Sequence, residues 1–144
     1  MRIVLDTNVL VSALITKDTP PDRLYQAWLR NEIELVTCAA QIDELTDVLS
    51  RPKLRKFVEP ADASELVADI HLRAIVIRDM AIPRRSSDPK DDAILAAAVA
   101  GGAELVVSGD KPGVLALREV QGIPIRTPRE ALQVVLAPSV GRSP

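Results

Sequence analysis

Four acidic residues stand where an α/β sequence would bring them to one edge of a sheet. Asp6 directly follows the first apolar run of the chain, and Asp110 follows a later apolar run after two residues. Glu44 falls in the early turns of one predicted helix, and Asp92 falls in the first turn of another. Ligands of open parallel sheets bind at the carboxyl ends of the strands. The sequence therefore predicts an acidic cluster at that edge.

A cluster of this kind points to a bound cation. Carboxylates held close together raise one another's pKa, so a fold gains nothing from the arrangement unless a cation resides there. Oxygen ligands suit hard divalent ions, and Mg²⁺, with Mn²⁺ as a substitute, is the predicted cofactor. Such an ion lowers the pKa of a water and shields the charge of a phosphodiester. Metal-dependent phosphodiester hydrolysis is the chemistry that the pattern favours.

Short aliphatic runs alternate with longer helical stretches along the chain. They are continuously apolar, as parallel strands covered on both faces are, and they lie at 3–5, 34–37, 74–77 and 104–107. A weaker fifth strand at 123–125 contains Pro124, which suits an edge position. The alternation predicts a three-layer α/β/α fold with a central parallel sheet of four to five strands. One domain is expected at 1–137, followed by a loose tail at 138–144.

Capping residues mark the helices. A cap with prolines begins one helix at Thr19-Pro20-Pro21-Asp22, and Asp88-Pro89 begins another that Gly101-Gly102 would end. Thr127-Pro128-Arg129-Glu130 is a capping box. Further helices are expected at 39–49, 52–58 and 60–73.

Helical periodicity gives Glu44 a distinct place among the neighbouring acids. An apolar stripe runs along its helix through Gln41, Ile42, Leu45, Val48 and Leu49. Glu44 lies at the edge of that stripe, whereas Asp43 and Asp47 fall on the opposite, solvated face. The same test does not separate Asp91 from Asp92, because their helix is apolar nearly all round.

Composition limits the class of protein and its compartment. The 144 residues are 47% hydrophobic and 26% charged, which is the balance of one soluble globular domain. The net charge of −2 argues against a wholesale polyanion-binding surface but allows a local basic groove. Cys38 is the single cysteine, so neither an internal disulfide nor a zinc cluster is expected. Without a signal peptide or a membrane-spanning run, a cytoplasmic protein is expected.

Basic residues near the predicted cluster are candidates for binding substrate phosphates. They are Arg51 and Lys53 in one group and Arg84 and Arg85 in the loop before the Asp92 helix. Such charges supply affinity without reading sequence, and a solvated helix face is the alternative interpretation. With one Trp, one Tyr and one Phe the chain lacks a platform on which bases could stack, so a nucleic-acid strand would be held by its backbone and shape. The lone His71 is interpreted as structural.

These segments resemble the PIN-domain family, including the VapC-type toxins of toxin–antitoxin pairs. The order and spacing match from Arg2 to about Leu136. The four similar segments are Val4-Leu5-Asp6-Thr7-Asn8, Asp43-Glu44-Leu45 with 48–54, Asp88 to Ala97, and Val107-Ser108-Gly109-Asp110.

The resemblance implies a role for each residue of the pattern. The metal-binding and catalytic acids would be Asp6, Glu44, Asp92 and Asp110, with Asp92 preferred to Asp91. The groups that orient those acids or a metal-bound water would be Thr7, Asn8, Asp91 and Ser108. Pro112 stands where many members carry a further acid, a departure that affects an outer ligand and not the four acids.

The implied function is a magnesium-dependent endoribonuclease that cleaves single-stranded RNA as the toxin of a toxin–antitoxin pair. The implied partners are a cognate antitoxin and a second copy in a symmetric homodimer. The stripe of Leu24, Tyr25, Trp28 and Leu29 is interpreted as core, with an association surface as the alternative.

Other classes fit the residues less well. A haloacid-dehalogenase-like phosphatase needs a second acid where Asn8 stands, and a receiver domain needs adjacent acids after the first strand. A catalytically degenerate PIN domain, acting as a protein or RNA binding module, is the open alternative. A metal titration discriminates between the two.

Overall fold

In a computed structural model of the chain, the structure describes residues 1–109 and 113–137. The predicted tail at 138–144 lies outside the described residues, and so do Asp110 and Pro112. The strands are β1 Arg2–Leu5, β2 Glu34–Cys38, β3 Ile75–Ile77, β4 Leu105–Val107, β5 Glu119–Val120 and β6 Ile123–Arg126. The helices are α1 Thr7–Ile15, α2 Pro20–Leu29, α3 Ala39–Ser50, α4 Pro60–Arg73, α5 Pro89–Ala100 and α6 Pro128–Val135. Short 3₁₀ helices lie at Pro52–Lys56 and Leu115–Leu117.

The strands form a mostly parallel six-stranded sheet in the order β3-β2-β1-β4-β6-β5. Only β5 runs antiparallel, against β6. The central strand β1 pairs with β2 at Arg2 and Ile3 and with β4 at Ile3, Val4 and Leu5. The α/β prediction is confirmed, and parallel pairing brings the carboxyl ends of β1, β2 and β4 to one edge.

The prediction that the fifth strand lies at an edge is wrong. This strand, β6, lies between β4 and β5, and the two-residue strand β5 forms the edge of the sheet. The register with β4 begins at Ile125, so Pro124 precedes that ladder, while on the other side it lies opposite Glu119 in the two-residue ladder with β5. Too short to leave a periodic pattern, β5 was not indicated by the sequence.

The two faces of the sheet are covered unequally. Ile3 and Leu5 of β1 face one layer, which is built from α1, α2, α3, α4 and α6. Val4 and Val36 face the other layer, where α5 is the principal helix. The alanines of α5 let it approach the sheet closely. At Gly101, which caps this helix, an added Cβ would lie 2.5 Å from Cγ1 of Val36, so the approach requires glycine there.

The structure contains the predicted helices, with two differences from the prediction. Asp88 caps α5 by accepting a hydrogen bond from the Lys90 amide at 2.9 Å, and the capping box at Thr127 is present. The segment from Pro52 forms a 3₁₀ helix that ends at Lys56, and α1 was not indicated.

The apolar stripe on α2 packs into the core. Leu24, Tyr25 and Trp28 are buried, which confirms the core interpretation. Burial and the neighbouring Asp69 carboxylate raise the pKa of Tyr25. Within the described residues, no helix has the length and apolarity needed to cross a bilayer.

Candidate metal centre

Asp6 lies at the carboxyl end of the central strand, where β1 turns into α1. Its backbone N–H donates to the Val107 carbonyl at 2.9 Å, and its own carbonyl accepts from the Val9 amide at 2.9 Å. Although Asp6 occupies the N-cap position of α1, its carboxylate makes no capping hydrogen bond. Instead, Oδ2 accepts a hydrogen bond of 3.0 Å from Oγ of Ser108, which directly follows β4. Helix capping therefore does not explain this acid, which is only 4% exposed.

The first turn of α1, which follows Asp6, contains a buried polar atom that has no partner among the described residues. Thr7 is buried, and its Oγ1 has no hydrogen-bond partner within residues 1–109 and 113–137. A buried hydroxyl left unpaired costs about 1–3 kcal/mol, and such atoms call for an explanation such as a bound ion or water. The Asp6 carboxylate and the Ser108 hydroxyl that donates to it also offer oxygen atoms. This donor set fits a hard divalent cation.

Glu44 reaches toward the same edge from α3. Its side chain is 15% exposed, and Oε2 lies 3.7 Å from Nζ of Lys90 in the first turn of α5. Glu44 also helps to raise the pKa of Cys38, the last residue of β2, although burial is the larger cause. Asp43 and Asp47 are exposed, as periodicity predicted. Glu44 is thus the acid of α3 that faces inward.

Asp92 holds the loop that precedes α5. It is 6% exposed, and its Oδ1 accepts three hydrogen bonds: from the Arg85 amide at 2.9 Å, from the Ser86 amide at 2.8 Å and from Oγ of Ser86 at 2.8 Å. These bonds, the Arg85 amide first, keep the pKa of Asp92 below its usual range. Asp92 therefore ties residues 85–86 to the first turn of the helix.

The side chain of the neighbouring acid Asp91 lies near Gly113. Its side chain is half-buried, and its Oδ2 lies 2.9 Å from the position that a Cβ would take at Gly113. Gly113 is the first described residue after the segment that contains Asp110. Even an alanine at position 113 would crowd the Asp91 carboxylate. The contacts thus distinguish two neighbouring acids that spacing alone could not separate.

The predicted acids are not all seen together. Among residues 1–109 and 113–137, no group of three or more His, Cys, Asp or Glu side chains is placed to hold a metal ion. The structure joins Asp6 to Ser108 and Glu44 to Lys90, while Asp110 lies outside the described residues. Asn8 is half-buried in the turn after Asp6. The four-acid cluster therefore stays a prediction.

The predicted phosphate-binding cations have different surroundings. Arg84 is exposed and lines a cavity of about 440 Å³ beside Asp92. Arg85 is half-buried, and its Nη1 has no partner in the part of the chain that the structure describes. Arg51 forms an ion pair of 3.1 Å with Asp47, and Lys53 is exposed.

Two further residues, Gln41 on α3 and His71 on α4, have different surroundings. His71 is exposed and lines a groove between α3 and α4. Gln41 is buried and donates from Nε2 to the Leu5 carbonyl at 2.6 Å, while its Oε1 accepts from the Thr37 hydroxyl. Sequence reasoning placed Gln41 on the apolar stripe of α3 without a role. An amide on an otherwise apolar stripe was the available indication that it has one.

Comparison with known proteins identifies one family over most of the chain. A sequence model of the PIN domain matches residues 2–112. The fold is similar to the crystal structure of PAE2754 from Pyrobaculum aerophilum, with a TM-score of 0.60 and 17% identity, over 95% of this chain and 90% of that chain. At this identity the likeness concerns the fold alone. No curated protein sequence matches the chain.

Proposed function

The chain belongs to the PIN domain family, a family of nucleases, and on that premise we propose that it is a metal-dependent endoribonuclease that cleaves single-stranded RNA. The observation that carries the proposal is the environment of Asp6. This carboxylate is buried at the carboxyl end of the central strand and serves no helix cap, and the next residue, Thr7, has a buried hydroxyl with no hydrogen-bond partner among the described residues.

The proposed ligands of Mg²⁺ or Mn²⁺ are carboxylates of the same edge. Asp6, Glu44 and Asp110 keep the roles that the family motifs suggest. For the remaining ligand the motif favours Asp92, and the three hydrogen bonds that its Oδ1 accepts from residues 85–86 would orient the carboxylate, as such bonds do for ligating carboxylates in general. Asp91, its neighbour in the first turn of α5, would then help to orient the ligands or a metal-bound water.

The surrounding residues would orient the acids and the substrate. When bound, a divalent ion supplies a water of lowered pKa and shields the charge of the scissile phosphate. Ser108 donates to Asp6 and fixes the direction of its carboxylate. Exposed Arg84 and Lys53, with Arg51 and Arg85, would attract the RNA backbone without reading its sequence.

The biological setting follows from the resemblance to VapC-type toxins. We propose that the protein acts in the cytoplasm as a homodimeric toxin whose activity is restrained by a cognate antitoxin. Because Leu24, Tyr25 and Trp28 belong to the core, the stripe on α2 does not supply the association surface.

The activity test uses purified protein and a single-stranded RNA oligonucleotide labelled at both ends. Cleavage should require Mg²⁺ or Mn²⁺ and stop on chelation. The turnover of Asp6→Asn should be at least roughly 100-fold below that of the parent, because loss of a group that only orients a ligand already lowers activity about 10–100-fold. Asp43→Asn is the matched control, since Asp43 is exposed on the opposite face of α3, and it should cleave like the parent.

Two outcomes contradict the proposal. One is cleavage that persists in chelator, and the other is equal activity of Asp6→Asn and the parent. If the parent binds RNA but takes up no Mn²⁺ in a calorimetric titration, the degenerate binding module is the better description. Sequencing the ends of the cut RNA identifies the target.

A further inference from the structure

Gln41 contacts the peptide group that joins Leu5 to Asp6. Its Nε2 donates to the Leu5 carbonyl at 2.6 Å. The N–H of the same peptide, on Asp6, donates to the Val107 carbonyl at 2.9 Å. Because a peptide group is planar, hydrogen bonds at both of its ends fix the plane from which the Asp6 side chain departs.

The two strands beside β1 support this peptide differently. The register with β4 continues to Leu5, opposite Val107, whereas the register with β2 is formed at Arg2 and Ile3. On the β2 side, a side chain of α3 therefore reaches the last carbonyl of β1 beyond the point where strand pairing ends. Gln41 extends the support of β1 by one further hydrogen bond.

The amide of Gln41 is itself held in one orientation. Thr37, at the end of β2, donates its hydroxyl proton to Oε1 of Gln41, which leaves Nε2 directed at Leu5. Gln41 and Thr37 are 4% and 1% exposed. In such surroundings the loss of either partner leaves a polar group unsatisfied.

We infer that Gln41, oriented by Thr37, is a positioning residue for Asp6. Ser108 holds the Asp6 carboxylate from the β4 side, and Gln41 holds the peptide before it from the β2 side. The plainer explanation, a core glutamine with satisfied hydrogen bonds, accounts for its partners but predicts no effect on metal binding. The metal part of the inference rests on the proposed function, whereas the support of the Asp6 peptide does not.

The test compares two isosteric losses and one rescue. Gln41→Met and Thr37→Val remove the hydrogen bonds with little change in volume, and Thr37→Ser keeps the hydroxyl. Calorimetric Mn²⁺ titration should show affinity reduced roughly 10-fold in the first two variants and restored in Thr37→Ser. In RNA cleavage, kcat should fall while KM stays near that of the parent.

Amide hydrogen exchange gives a readout that needs neither metal nor substrate. In Gln41→Met the Asp6 amide should exchange faster, while the Ser108 amide, which donates to the Arg126 carbonyl at 3.0 Å, should keep its rate. Ile42→Val, a buried neighbour on α3, controls for general loosening and should change neither.

Each outcome decides one part of the inference. Unchanged Asp6 exchange in both Gln41→Met and Thr37→Val overturns the positioning role. Equal loss of Mn²⁺ affinity in Ile42→Val overturns it as well, because the effect is then general. A parent that binds no Mn²⁺ defeats the proposed function, while the exchange result still decides whether Gln41 supports the Asp6 peptide.

Discussion

Two buried carboxylates of this protein, Asp6 and Asp92, are held by different parts of the fold. Asp6 directly follows the central strand β1, and its Oδ2 accepts a hydrogen bond from Oγ of Ser108, just after β4. Asp92 lies in the first turn of α5 and accepts three hydrogen bonds on one oxygen from two consecutive loop residues. Both are less than a tenth exposed, yet their hydrogen bonds connect them to different elements of the fold. Burial alone thus does not distinguish the two acids, whereas the elements that supply their hydrogen-bond donors do.

The comparison is tested most directly by activity. The turnover of Asp92→Asn should be roughly 100-fold or more below that of the parent, because a metal ligand is lost, and Asp91→Asn should lose less, because Asp91 only orients its neighbours. Initial rates in Mg²⁺ on one RNA oligonucleotide provide the measurement. If Asp92→Asn cleaves normally and Asp91→Asn is inactive, the motif assigned the ligand to the wrong acid.

Substitutions of Asp92 and Asp6 should also have different effects on thermal stability. Asp92→Ala removes the acceptor for residues 85–86, so its Tm should fall by several degrees and trypsin should cut after Arg84 or Arg85. In chelator, Asp6→Asn should melt at or above the Tm of the parent, because it relieves repulsion among the acids.

In excess Mg²⁺ the Tm of Asp6→Asn should be equal to or below that of the parent. Binding to the parent adds about 2.7 kcal/mol when the ion is at 100 times its Kd, a gain that Asp6→Asn has lost. A clearly lower Tm for Asp6→Asn in chelator would give Asp6 a structural role and weaken the comparison. Asp43→Asn serves as the control for a change of charge on the surface.

The smallest expected effect is on acid stability. The folded state keeps the pKa of Asp92 below its usual value, so the carboxylate stabilises the fold above that value. This contribution is lost as the pH falls below about 4, toward the pKa in the folded state. The Tm of the parent should therefore fall more steeply in acid than that of Asp92→Asn. Parallel curves would mean that Asp92 contributes nothing to the pH dependence.

The sequence predicted the parts of the fold that depend on local or periodic patterns. The capping box at Thr127 and the cap at Asp88 fixed the starts of two helices, because those side chains bond to amides only two or three residues away. Strand β5 and the interior position of β6 were missed, since two residues carry no period and the neighbour of a strand is a long-range property.

The site was likewise predictable only where its residues follow a local pattern. The position of Glu44 followed from helical periodicity on a helix with one apolar face. Asp91 and Asp92 could not be separated, because α5 is buried on most sides and Asp92 takes its donors from a loop whose path no pattern describes. The bond from Gln41 to Leu5 spans 36 positions and was likewise beyond local reasoning.

The close contact of Gly101 with Val36 has a consequence for the length of α5. One end of the helix is fixed against β2, and the two acids lie about three turns away at the other end. An inserted or deleted residue between them would rotate both carboxylates by about 100° around the helix axis. Substitutions along this segment are therefore limited by volume, whereas insertions and deletions are limited by helical phase.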